Sequence, residues 1–215
     1  VELSYDKRNS VLANDRKQLQ KAAAQNLLYK WAGSLKKKFF TAGEAREAHT
    51  SETATGNRKK ITKAVVMKVA VRFNMDDVPA DGRFMLLDAS MYMDLLDDLT
   101  DKELSAFLAC ADASRGVLGK LYGFEIMQRS QVLRTTANGA SLLKWEADDA
   151  ATELAAGLAW QQDCVSRALG DVKMFDDMGN PTYYGDIYSF LVRTGGSPRR
   201  YDGKGIAAII ESNAA

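Results

Sequence analysis

The chain has 215 residues, 46% of them apolar and 27% charged, the proportions of a folded globular protein rather than a disordered one. Its 29 lysines and arginines against 28 acidic residues leave a net charge of +1, so no whole-molecule field draws it to nucleic acid or membrane, and any basic site has to be local. No run approaches the ~20 apolar residues that cross a bilayer, no secretory leader is visible, and the start at Val1 reads as a fragment or a processed form.

In chain order, residues 10–31 predict a long amphipathic helix. Ser10 is its expected N-cap, and Leu12, Leu19, Ala23, Leu27 and Trp31 form one apolar face, with Gly33 as the stop. Residues 33–60 are small and polar and read as an exposed loop, with a short helical turn at Glu44–His49. Residues 61–75 fit two periods. Val65, Met67, Val69, Val71 and Phe73 alternate as in a strand, while Ile61, Val65, Val69 and Phe73 recur every four residues as on a helix. Pro79 and Gly82 mark a turn, and 83–88 is a short buried strand. A helix over 90–99 takes Ser90 as cap, and a second follows at 101–113. A strand at Phe124–Met127 precedes the polar stretch 134–149. Residues 151–170 predict a helix on Leu154, Leu158 and Leu169, stopped by Gly170. Residues 171–177 are strand-like, 179–200 read as a hairpin or strand pair, and 205–212 as a strand or short helix. Helices interleaved with short strands place the chain in the α+β class.

Few residues offer chemistry. Cys110 and Cys164 lack metal-ligand spacing and read as small buried thiols. His49, the one histidine, lies in a polar segment with no partner pattern for a metal site or a catalytic triad. The segment "RTGGSPRRYDGKGI" fails as a phosphate loop, because Gly203-Lys204 is followed by Gly205 rather than a hydroxyl residue. It fails as a dinucleotide fingerprint because the third glycine is missing. The pairs Asp76-Asp77, Asp97-Asp98, Asp148-Asp149 and Asp176-Asp177 read as surface charge, since adjacent side chains diverge on helix and strand alike. No catalytic residue, cofactor or metal ion is expected. A candidate basic patch remains at Lys36, Lys37, Lys38, Arg58, Lys59 and Lys60, without the interleaved aromatics that stack on single strands.

Four segments together carry a resemblance. They are "ITKAVVMKVAVRFNMDDVPADGRFMLLDASMYMDLLDDL" at 61–99, "GVLGKLYGFEIMQRSQV" at 116–132, "AAGLAWQQDCVSRALGDVKMF" at 155–175, which is similar to a later helix following a polar loop, and "YYGDIYSFLVRTGGSPRRYDGKGIAAII" at 183–210. Their order and spacing resemble the major capsid proteins of tailed bacteriophages, and the likeness runs through most of the chain from about residue 4. The resemblance implies a shell-forming fold with a long spine helix at 10–31, a peripheral and an axial subdomain, and a helix at 61–75. Residues 1–60 would be spine helix and exposed loop of the peripheral part, 61–190 mainly the axial part with a shared core, and 191–215 a C-terminal return. The N-terminal arm and extended loop usual in the family are largely absent ahead of the helix.

The same resemblance implies a non-enzymatic virion protein, made in the bacterial host cytoplasm. It would assemble with copies of itself as hexamers and pentamers into an icosahedral shell. Portal, scaffold and maturation proteins would be its partners, double-stranded DNA would meet it by non-specific contact, and no membrane is involved. On this reading Gly195, Gly196, Gly203 and Gly205 are turn residues, and Arg199, Arg200 and Asp202 make local or inter-subunit ion pairs. Two other readings are an encapsulin-like compartment shell, which shares the fold, and a nucleic-acid-binding module built on the basic patch.

Overall fold

The computed structural model describes residues 7–33, 35–182 and 185–214, with backbone alone at 7–12, 180, 185 and 186. The centre of the molecule is β8 (Leu154–Gln161), an eight-residue strand buried along its whole length. On one side it pairs antiparallel with β13 (Ile206–Ile210), which in turn pairs parallel with β1 (Lys38–Phe40). On the other side it is shared by β7 (Leu133–Thr135) and β4 (Arg83–Asp88). Beyond β4 come β6 (Phe124–Arg129), parallel to it, and the edge strand β5 (Gly119–Leu121). These seven strands make one mixed sheet.

Because side chains alternate across a strand, the sheet sorts its residues into two cores. Met85, Leu87, Ala155, Ala159, Ala207 and Ile209 face one side. There α2 (Lys63–Met75), α3 (Ala89–Asp97) and α4 (Asp101–Leu108) cover them with Val65, Val69, Phe73, Met91, Leu95 and Phe107. Leu86, Leu154, Leu158, Trp160, Ala208 and Ile210 face the other side, against Leu28, Ala32 and Leu35 from the end of α1 (Lys7–Ala32). The Trp31 and Trp160 rings meet there with centroids 5.5 Å apart.

The two periods that 61–75 offered are now separated. Val65, Val66, Val69, Ala70 and Phe73 are buried on α2, while Met67 and Val71, which a strand would place on the same face as Val65, are exposed. The N-terminus of α2 is served from a distance: the Lys63 amide donates to Asp98 Oδ2 at 2.7 Å, satisfying a donor that a helix end leaves free. In α4, Thr100 and Glu103 form a reciprocal capping box.

Several expectations are corrected. Residues 154–161 are strand, not helix. The i,i+4 leucines Leu154 and Leu158 do share a face, but Ala155 and Ala159, each one residue further on, are buried against the other core, which a strand covered on both faces permits. Crowding explains the small residues: a Cβ on Gly157 would lie 2.8 Å from Leu87 Cδ2. A single-turn 3₁₀ helix, Gln162–Cys164, then leads into β9 (Val165–Leu169), so the run expected to stay helical to Gly170 is extended there too.

Residues 33–60 hold β1 and a hairpin of β2 (Ala45–Glu47) and β3 (Asn57–Lys59), so Glu44–His49 is not a helical turn. Asp88, not Ser90, caps α3, accepting from the Met91 amide at 2.6 Å. The first helix begins by Lys7, which places Ser10 inside it rather than at its cap; the side chains of Ser10 and Leu12 lie outside the described residues. Cys110 is exposed, and only Cys164 is buried. Asp76 is buried rather than on the surface, because Lys37 and Arg72 both pair with it.

The remaining strands lie beside α1. β12 (Thr194–Pro198) pairs antiparallel with β9, and β10 (Lys173–Asn180) with β11 (Gly185–Leu191), so the two strands within 179–200 pair with earlier strands and not with each other as expected. The Trp31 indole N–H donates to the Ser166 carbonyl at 2.7 Å and ties α1 to β9.

The turn entering β13 depends on Gly205. Its φ is +77°, and an added Cβ would sit 2.3 Å from Cys164 Sγ and 2.8 Å from Cys164 Cβ. Gly205→Ala is therefore expected to cost about 2–4 kcal/mol, joining a strained dihedral to overpacking. Urea unfolding reads this directly, and a midpoint equal to that of the parent would refute it.

Candidate functional site

Among the described residues no group of three or more His, Cys, Asp or Glu side chains is placed to hold a metal ion. His49 is exposed. What the surface does present is one glycine- and arginine-rich loop, the dispersed basic residues, and an apolar groove.

The loop at 199–205 closes over the C-terminal end of α1. Arg200 Nη2 lies 3.4 Å from Asp202 Oδ2, and Asp202 Oδ1 accepts from the Lys204 amide at 3.0 Å. That amide holds the Asp202 carboxyl below the usual carboxylate range. The Arg199 amide donates to the Cys164 carbonyl at 2.8 Å. Tyr201 is 94% exposed, with Lys36 Nζ 4.2 Å from its ring centre and donating to its carbonyl. Between this loop and Trp31, Leu35 and Pro198 lies a cleft of about 210 Å³.

Gly203 has a positive φ of 70°, as a turn requires, but Gly195 and Gly196 lie inside β12, paired with Ala168 and Arg167. Gly196 is small because α1 crosses it: a Cβ there would lie 2.5 Å from Leu27 Cδ1.

The six basic residues flank the C-terminal strand but do not form one cationic face. Lys38 pairs across from Ala208 in β13, and Arg58 bridges to Asn213 just beyond it. Arg58 is only 3% exposed, its guanidinium donating to the Glu153 carbonyl at 3.1 Å. Lys37 pairs with Asp76, and Lys60 Nζ with Asp97 Oδ2 at 3.0 Å. Lys38 Nζ donates to the carbonyls of Gly139 and Ala140 at 2.8 and 2.9 Å. Lysines occupied in this way have fewer free donors for phosphate oxygens.

The apolar groove was not foreseen. Leu19, Ala23 and Leu27 on α1, expected to be a core stripe, instead line an open groove of about 560 Å³. The buried stripe of the helix is turned by one residue, to Gln25, Leu28 and Ala32. The far wall is Leu169, Val172, Met174 and Phe190, from β9 and the β10–β11 hairpin. Leu169 is 65% exposed and Met174 46%. Apolar surface left open in this way marks a contact site more often than chance.

A different arrangement sits at the opposite side of the sheet. Arg46 of β2 reaches inward, with Nε 2.6 Å from Asp94 Oδ2 and Nη2 paired to Glu211. Glu211 is 1% exposed, and burial pushes its carboxyl up to about 7 against the pull of Arg46.

No protein-family model matches the sequence, and no curated protein resembles it closely enough to count. Solved structures do. The capsid protein of Ralstonia phage GP4 superposes with a TM-score of 0.65 at 13% identity, over 99% of this chain and 69% of that one. The capsid of cyanophage P-SCSP1u gives 0.60 at 16% identity, over 99% and 67%. The head of Helicobacter pylori bacteriophage KHP40 gives 0.60 at 11% identity, over 98% and 70%. The match covers nearly all of this chain and spans about two thirds of each neighbour. This chain adopts the fold of the tailed-phage major capsid proteins.

Proposed function

We propose that the protein is a structural, non-enzymatic shell subunit that assembles with copies of itself into a phage or prophage capsid. The observation that carries this reading is the superposition on several phage capsid proteins across nearly the entire chain. The open apolar groove supports it, since a surface of that kind is stable when a neighbouring copy covers it. Ring and shell contacts are head-to-tail, so they need two different faces on each copy, and a near-zero net charge lets many copies pack without global repulsion.

In this reading α1 with β9–β12 forms the peripheral part, and the seven-stranded sheet with α2–α4 forms the axial part. The axial part is then narrower than the run 61–190, because β9, β10 and most of β11 go with α1. The loop at 199–205 and the solvent-facing lysines serve as contact edges, and the shell encloses double-stranded DNA held by non-specific charge. Hexamers and pentamers are the expected capsomers, with portal, scaffold and maturation proteins as partners. The virion is the site of action, after synthesis in the host cytoplasm. The nucleic-acid-module reading draws no support from the basic residues, because Arg58 is buried and Lys37 and Lys60 are paired with aspartates. Electron microscopy of the expressed protein tests the proposal: closed shells support it, and subunits that stay dispersed under every assembly condition overturn it.

A further inference from the structure

Two exposed faces of the molecule carry opposite charge. The first is the outer face of the β10–β11 hairpin. Among the described residues β10 and β11 pair only with each other, and a lone two-stranded ribbon is marginal without cover. Met174 and Phe190 sit opposite each other in the ribbon and line the groove beside α1. Side chains alternate along a strand, so Phe175 turns to the other face. It is 53% exposed there, and Met178, further toward the tip, is 58% exposed. Residues 171–191 hold four aspartates and one lysine, a net charge of −3.

The second face is the cleft between the end of α1 and the loop at 199–205. Trp31, Leu35, Pro198 and Tyr201 give it apolar and aromatic walls. The loop and the adjoining Lys36 carry Arg199, Arg200, Lys204 and Lys36 against Asp202 alone, a net charge of +3. Lys37 also lines the cleft, but its charge is taken up by Asp76. Tyrosine and arginine at the mouth of an apolar pocket are the groups that most often anchor protein contacts. β12 runs from Thr194, beside Leu169, to Pro198, beside Val165, so hairpin and loop leave it at opposite ends. Phe175 and Met178 stay exposed while the cleft stays open, so the hairpin does not fill the cleft of its own molecule.

We propose that the outer face of the β10–β11 hairpin of one copy docks into the cleft between α1 and the 199–205 loop of the next. Phe175 and Met178 supply the apolar contact to Trp31 and Tyr201, and the hairpin aspartates meet Arg199, Arg200 and Lys204. The occupant is a second copy because each face finds its complement in charge and polarity on the same chain. Like faces repel, −3 against −3 and +3 against +3, so the contact runs head to tail rather than face to face. Repeated contacts of that kind close into rings. The choice of occupant rests on the shell reading, and the contact adds to it the two surfaces that meet.

Paired charge reversals in the full chain test the docking. One variant carries Arg199→Glu with Arg200→Glu, the other Asp176→Lys with Asp177→Lys. Sedimentation velocity at low ionic strength, where exposed charges are least screened, reads self-association of each and of their mixture. Each variant alone is expected to associate at least about tenfold more weakly than the parent, and the mixture to recover most of that loss, because acidic and basic faces again meet. A mixture no tighter than the variants alone, or variants as tight as the parent, overturns the docking. Should a reversed chain fail to fold, oxidative cross-linking in a Cys110→Ser background decides. Met178→Cys mixed with Tyr201→Cys should give heterodimer several-fold above either homodimer, and equal yields overturn the proposal. Electron microscopy of the parent separates the two readings: shells without recovery in the mixture remove only the docking, and recovery without shells removes only the shell.

Discussion

Phe73→Ala is expected to remove about 3–5 kcal/mol of stability, the range for deleting a fully buried aromatic ring. Phe73 is 0% exposed and lies on the inward face of α2. Its ring meets Phe124 of β6 edge-on, with centroids 5.3 Å apart and planes at 68°. The Arg83 guanidinium lies 5.7 Å from the ring centre on a third element. Loss of the ring therefore opens a cavity among α2, β4 and β6, and Arg83 is in no position to fill it, because its Nη2 is held by the Val78 carbonyl at 2.6 Å. Val71→Ala, two residues earlier and 50% exposed, is the matched control and should move stability by no more than about 0.5 kcal/mol. Equal urea midpoints for the two variants would show that α2 does not pack as described.

Arg134→Met is expected to cost a comparable ~3–5 kcal/mol, by a different route. Arg134 of β7 is 5% exposed and holds the whole 144–153 segment. Its Nη1 reaches Asp149 Oδ1 at 2.6 Å and Glu153 Oε2 at 3.1 Å, and Nη2 donates to the Ala147 carbonyl at 2.5 Å. Glu153 is 2% exposed, so removing the guanidinium leaves a buried carboxylate without its cation. The penalty belongs mainly to that orphaned charge rather than to the lost bonds. Glu153→Gln added to Arg134→Met should accordingly recover a large part of the loss, and it retains an oxygen for the Ala150 amide, which donates to Glu153 Oε1 at 2.8 Å. Strictly additive losses in this double-mutant cycle would contradict the account.

How far the sequence revealed these features depended on whether local pattern and tertiary environment agreed. For β4 they did. For α2 the apolar pattern fitted two periods, and only the exposure of Met67 and Val71 separates them. For β8 they conflict: "LAAGLAWQ" has the alanine and leucine content of a helix, yet its neighbours on both sides are strands, and strand pairing overrides propensity. Residues 33–60 hid three strands of three residues each, too short to show alternation. The groove was invisible for a related reason. The stripe Leu19, Ala23, Leu27 was legible as an apolar face, but periodicity says that a face is apolar, not that its own chain covers it. The Arg46 cluster joins residues 46, 94 and 211, a separation no local pattern encodes.

Electron cryo-microscopy of particles from cells expressing the full-length gene product tests the central claim most directly. Closed shells built from repeated head-to-tail contacts are predicted, with each groove between α1 and the β10–β11 hairpin covered by an adjoining copy. Subunits that remain singly dispersed under every assembly condition would contradict it.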